Sequence, residues 1–121
     1  MYKRETDLLR KAEEMKTNRS ITKGAAEKFK SDMGSAIEVF PGKSESWLMV
    51  GLEEETLYFK GSDEPAAIAE VSVYGSLNSA ACNKMTELVT ESVSNIFDIS
   101  PSRIYVKYQP IDEWGWNGSN F

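Results

Sequence analysis

The stretch from Ala66 to Gln109 constrains the fold more than any other. Ala67, Ala69, Val71 and Val73 alternate with more polar neighbours up to Tyr74, the two-residue period of a strand. Gly75 to Asn78 turns the chain. From about Ser79 to Phe97, Met85, Leu88, Val89, Val93 and Ile96 fall on one side of a helix. Ser100-Pro101 opens a tight turn, and Ile104, Val106 and Tyr108 alternate with Tyr105, Lys107 and Gln109 on another strand. This half is a β-α-β unit.

The first half reads as the same unit with its opening strand missing or degraded. Thr22 is a suitable N-cap, and Ala25, Ala26, Phe29, Met33, Ala36, Ile37 and Phe40 follow at helical steps until Pro41-Gly42. Trp47 to Leu52 is an almost continuous apolar run, hence a buried strand. Glu53-Glu54-Glu55 reads as a turn, after which Thr56 to Phe59 pairs back as a short strand. Ahead of this unit, Leu8, Leu9, Ala12 and Met15 lie at helical spacing among charges, so residues 1–16 read as a charged, helical arm. The expected fold class is α+β: two β-α-β units forming one sheet with two helices packed on it, the first strand degraded or replaced by the arm. The expected division is an arm at 1–16 and a domain at 17–121.

A chain of 121 residues makes one domain. Its net charge of -5 argues against nucleic acid and anionic membrane surfaces. No apolar run approaches the roughly 20 residues of a membrane span, so no membrane insertion is expected. The charged start lacks an apolar signal-peptide core. One cysteine, Cys82, permits no internal disulfide and suits a reducing compartment. Histidine is absent, which removes the commonest general base and metal ligand. Proton transfer near neutral pH therefore needs an amine, a carboxyl or a tyrosine with a shifted pKa. No metal and no cofactor is expected.

The chain ends in Trp114-Gly115-Trp116-Asn117-Gly118-Ser119-Asn120-Phe121, an aromatic tail where most chains turn polar. Upstream lies Ile99-Ser100-Pro101-Ser102-Arg103-Ile104-Tyr105-Val106. With Thr17-Asn18, Pro41-Gly42-Lys43, Trp47-Leu48-Met49-Val50, Phe59 to Ala66 and Tyr74-Gly75, these pieces resemble the macrophage migration inhibitory factor family of the tautomerase superfamily, in matching order across 17–121. The resemblance implies a homotrimer with a pocket between subunits, and cofactor-free keto–enol tautomerisation of phenylpyruvate or isomerisation of dopachrome. It implies a carboxylate-binding role for Lys43 and a substrate contact at Tyr74. It implies a tyrosine from the adjacent subunit at Tyr105, and a hydrophobic wall of Trp114, Trp116 and Phe121. Lys107 stands where the family commonly has asparagine. Read without the resemblance, Lys43 is a solvated lysine after a helix, and the aromatic residues are packing residues.

The family's base is the amine of an N-terminal proline. This sequence begins Met1-Tyr2 and has no proline before Pro41, so no catalytic residue is assigned and weak or absent activity is expected. Counting back from Thr17-Asn18 places the proline's position at about Lys11. Three explanations stand: a divergent member that lost the base, an altered start or splice product, and Lys11 serving as the base. A strand through Glu13-Glu14 would also bury at least one carboxyl. Two functions follow from the resemblance: a tautomerase acting on a small aromatic α-keto acid, or a catalytically silent, cytokine-like binding protein on the same scaffold, with a cell-surface receptor as partner. The expected location is cytoplasmic, or secreted without a signal peptide.

Overall fold

The computed structural model describes residues 11–40 and 45–120. Lys43 and Phe121, and the first ten residues of the expected arm, lie outside the described residues. The elements are β1 (Lys11–Thr17), α1 (Lys23–Ala36, continued as a 3-10 turn over Ile37–Val39), β2 (Leu48–Glu54), β3 (Ala67–Tyr74), α2 (Ser79–Phe97), β4 (Ile104–Ile111), and the short strands β5 (Gly115–Trp116) and β6 (Ser119–Asn120). The expected α+β class holds: two β-α-β units contribute one four-stranded sheet in the order β2-β1-β3-β4. Within each unit the strands run parallel, which a helical crossover permits, and β1 joins the units antiparallel to β3.

The first strand is present, which corrects the helical reading of residues 11–16. β1 is a central strand, paired with β2 on one side and β3 on the other. Ladders on both sides satisfy its backbone, and the alternation Lys11, Glu13, Met15, Thr17 places every second residue inside. The helical spacing of Ala12 and Met15 misled because two of the four inward residues carry ionisable groups. A second correction concerns Thr56 to Phe59. They form no strand; only an isolated bridge joins Phe59 to Ser62, and Glu53-Glu54 extends β2 instead of turning.

Each helix starts where its side-chain chemistry allows. Thr22 Oγ1 accepts from the Ala25 amide and Asn78 Oδ1 from the Ala81 amide, each satisfying a first-turn donor. Asp98 ends α2 in the left-handed region, at φ 57°. Both helices cover the same face of the sheet and pack against each other. Between them and the sheet lie Met15, Phe29, Met33, Ile37, Val71, Met85, Val89 and Val93, all buried. Phe29 and Phe97 meet edge to face across the two helices at 6.4 Å. The opposite face of the sheet carries Glu14, Lys16, Ile68, Glu70, Tyr105 and Lys107.

Candidate functional site at the Lys11 end of the sheet

β1 begins at Lys11, in register with Leu48 of β2 and Val73 of β3. Its side chain is on the helix-facing side and only 3% exposed. Burial disfavours the ammonium form, and the pKa falls from 10.5 to about 8. Leu48 and Val73, its row neighbours, are apolar.

The aromatic tail closes over the same end of the sheet. Tyr74 is the last residue of β3, and Gly75 turns the chain at φ 102°, a conformation that favours glycine. Tyr74 meets Trp114 edge to face at 6.3 Å. Trp47, immediately before β2, meets Trp116 at 5.2 Å and near a right angle. Trp116 belongs to the β5–β6 hairpin, whose turn residues Asn117 and Gly118 both have positive φ, as an Asn-Gly hairpin turn demands. The structure therefore brings Tyr74, Trp114 and Trp116 to the Lys11 end. Trp47 joins them, although its sequence context marked it only as the start of a buried strand.

Tyr105 and Lys107 are elsewhere. Tyr105 is in register with Ile68, five residue steps along β3 from Val73, about 17 Å away at strand rise. It is 58% exposed and packs against Phe59 at 4.9 Å. Beside it is a cleft of about 150 Å³ lined by Leu57, Phe59, Ala67, Ile68, Arg103 and Tyr105. Lys107 is opposite Glu70 on β3 and shares a shallow groove of about 80 Å³ with Glu14, Lys16, Ile68 and Glu70. In register, both residues sit away from the Lys11 end of the sheet.

Arg103 holds this second region together, a role its sequence context did not reveal. Its guanidinium donates to the carbonyls of Phe59, Ser62, Glu64 and Pro65 at 2.9–3.1 Å and stacks over the Phe59 ring at 5.3 Å. From the other side, Asn18 donates to the carbonyls of Asp63 and Glu64 and accepts from the Ala66 amide. The loop from Phe59 to Ala66 is thus clamped by two side chains far away in sequence.

Glu13 is the other departure from an ordinary core. It is fully buried, both carboxyl oxygens lack a hydrogen-bond partner, and burial raises its pKa from 4.5 to about 8. One carboxyl is buried, as the paired glutamates implied, while Glu14 faces outward. Among the described residues no group of three or more His, Cys, Asp or Glu side chains could hold a metal, and no helix is long and apolar enough to cross a membrane.

The family model for macrophage migration inhibitory factor matches residues 14–121. The chain belongs to the macrophage migration inhibitory factor family. Macrophage migration inhibitory factor from Mus musculus is 26% identical over 98 residues, spanning 78% of this chain and 85% of that protein. The Meriones unguiculatus protein is 27% identical over 94 residues, 75% of this chain and 82% of its own. Leishmania major MIF2 superposes with a TM-score of 0.88 at 24% identity, covering 93% of this chain and 98% of the other. At that identity the likeness establishes the fold alone. The macrophage migration inhibitory factor homologue from Prochlorococcus marinus, at 25% identity, has a TM-score of 0.77 over 91% of this chain and 98% of its own. The superpositions agree with the α+β architecture of two helices on one sheet.

Proposed function

We propose that this chain is a cofactor-free tautomerase of the macrophage migration inhibitory factor type, acting on small aromatic α-keto acids such as phenylpyruvate. Its pocket forms between copies of a homotrimer. The observation that carries this reading is Lys11: in a chain without histidine, a buried amine with a pKa near 8 stands where the resemblance places the family's catalytic amine. As general base it takes a proton from the carbon beside the keto group, and the charge moves onto the keto oxygen. Tyr74, Trp114 and Trp116 form the apolar wall at that end, and Lys43 is the proposed partner of the substrate carboxylate. Tyr105, exposed and about 17 Å along the sheet, suits service to a neighbouring copy.

The test is ultraviolet-monitored tautomerisation of phenylpyruvate by the purified chain, alongside its mass by light scattering. The expected result is a trimer and a rate above buffer that climbs as pH approaches 8. A monomer, or no rate at any pH, sinks this reading.

A second reading is favoured by one observation. Lys11 is 3% exposed, so its amine is covered within a single chain. A covered amine fits a catalytically silent, cytokine-like binding protein on the same scaffold. A trimer with no rate would select it.

A further inference from the structure

We propose that Asn117 is a site of spontaneous covalent modification. It deamidates through a cyclic imide to aspartate and isoaspartate, at a rate set by opening of the terminal hairpin, and the isoaspartyl form parts Trp116 from Trp47. The reaction needs only water and does not depend on the proposed tautomerase activity.

Deamidation of an asparagine begins when the amide nitrogen of the next residue attacks the side-chain carbonyl carbon, so a side chain on that next residue obstructs it. Asn117 precedes Gly118, whereas Asn18, Asn78, Asn83, Asn95 and Asn120 each precede a residue with a side chain. Trp116 pairs with Ser119 and Gly115 with Asn120, so Asn117 and Gly118 are the two turn residues and the Gly118 nitrogen lies outside the ladder. Both turn residues are exposed to the water that the reaction consumes. Asn18 and Asn78, by contrast, have their side chains engaged in the loop clamp and the helix cap.

The same hairpin restrains the reaction. The turn holds Asn117 at φ 55° and Gly118 at φ 91°. Closing the ring swings the Gly118 nitrogen toward Asn117 Cγ by rotation about the bond from the Asn117 Cα to its carbonyl carbon, and the paired strands on either side oppose that rotation. Attack therefore waits for the hairpin to open. β5 and β6 have two exposed residues each, so their own ladder is a weak brace. The edge-to-face contact of Trp116 with Trp47 at 5.2 Å adds packing to it.

The atoms balance without redox. The Gly118 nitrogen bonds to Asn117 Cγ and gives up its proton, and the side-chain nitrogen leaves with that proton as ammonia. Water then adds to one of the two ring carbonyls. Opening at Cγ leaves an ordinary backbone and an aspartate, which an Asp-Gly hairpin turn accepts. Opening at the main-chain carbonyl routes the backbone through Cβ and Cγ and lengthens a turn whose two residues set the pairing of Trp116 with Ser119. The hairpin then loses its register, and Trp116 its place against Trp47. Either product adds a negative charge to a chain already at -5.

The experiment ages the full chain at neutral and mildly alkaline pH, folded and in urea. Conversion is followed by intact mass and peptide mapping, and isoaspartate by labelling with an isoaspartyl methyltransferase. The expected result is conversion at Asn117 ahead of every other asparagine, faster in urea than in the folded chain and lost in Asn117→Gln, whose longer side chain closes a larger ring more slowly. Trp47→Ala should speed the folded reaction by about two- to tenfold, the factor that an edge-to-face aromatic pair supplies. If Trp47→Ala does not fold, Trp116→Ala, on the exposed hairpin itself, makes the same test. The isoaspartyl form, separated by ion exchange, should show a weaker near-ultraviolet signal than the unaged chain. Earlier conversion at another asparagine overturns the proposal, as does an intact Asn117 in the folded chain once the chain in urea has converted. Equal rates in the wild type and the tryptophan variants, or an isoaspartyl form with an unchanged near-ultraviolet signal, also overturn it.

Discussion

Glu13 and Tyr108 occupy one row across the sheet, with Val71 of β3 between them. The two respond to burial in the same direction. Glu13 is raised to about 8, and Tyr108 is raised first by burial and further by Cys82 and Glu13, against the lowering hydrogen bond to Thr86. Tyr108 donates to the Cys82 carbonyl at 2.8 Å and shares a 2.6 Å hydrogen bond with Thr86, so its hydroxyl is satisfied. The carboxyl of Glu13 is not.

Stability should therefore pass through a minimum near pH 8. Between about 4.5 and 8 the folded chain keeps the Glu13 proton that the unfolded chain releases, so stability falls as pH rises through that window. Above 8 the unfolded chain still binds a proton on Lys11 that the folded chain has lost, so stability rises toward 10.5 until other groups ionise. The Glu13 limb is worth on the order of 3–5 kcal/mol. Urea unfolding from pH 5 to 9 checks this. Glu13→Gln should flatten the lower limb, and Glu13→Met should stabilise by about 1–3 kcal/mol at pH 8 by removing an unpaired buried carboxyl. A pH-independent wild type would contradict the burial of both groups.

Arg103→Ala should cost about 2–4 kcal/mol, because four carbonyls lose a charged donor and Phe59 loses its stacked partner. Amide exchange should accelerate selectively from Phe59 to Ala66, the clamped segment. Arg103→Lys should recover less than half of the loss, since a point charge cannot serve a planar fan of acceptors. Uniform acceleration across the sheet would argue that Arg103 supports the whole fold and not this loop.

Trp47→Ala tests what anchors the terminal hairpin. Strands of two residues cannot hold themselves, so β5–β6 depends on packing, and the described aromatic contact to Trp116 comes from Trp47. The expected loss is about 0.5–1.5 kcal/mol locally, with faster proteolysis between Asp112 and Ser119 and a weaker near-ultraviolet signal. Unchanged proteolysis would place the anchor elsewhere.

The helices were legible because their signals are local. Thr22 and Asn78 are N-caps by chemistry, and apolar residues at three- and four-residue steps need one face buried whatever the partner. β1 was not legible, because Lys11 and Glu13 contradict the apolar inward face that a central strand ordinarily shows. What makes it a strand is the pair of open edges offered by β2 and β3, a long-range fact. Thr56 to Phe59 has strand-like composition, yet Arg103 takes the Phe59 carbonyl and Asn18 that of Glu64, and no local pattern encodes a clamp from 44 and 46 residues away. In the site, the aromatic residues of the tail announced a packed wall, while the partnership of Trp116 with Trp47 depends on where the hairpin lands.

The separation of Lys11 from Tyr105 gives the sharpest test of a shared pocket. At about 17 Å along one sheet, these residues cannot meet the same small acid within one chain. On the function proposed above, Lys11→Met and Tyr105→Ala each weaken phenylpyruvate tautomerisation, Lys11→Met abolishing it and Tyr105→Ala lowering kcat/KM by about tenfold, or about 1.4 kcal/mol. Unfolding the two variants together and refolding them as a mixture should restore pockets that draw Lys11 from one copy and Tyr105 from another. The mixed sample should exceed the average of the two separately refolded variants, since some pockets then carry neither substitution. A rate equal to that average would mean that Tyr105 acts within its own chain, by holding Phe59 and the clamped loop, and that no pocket is shared.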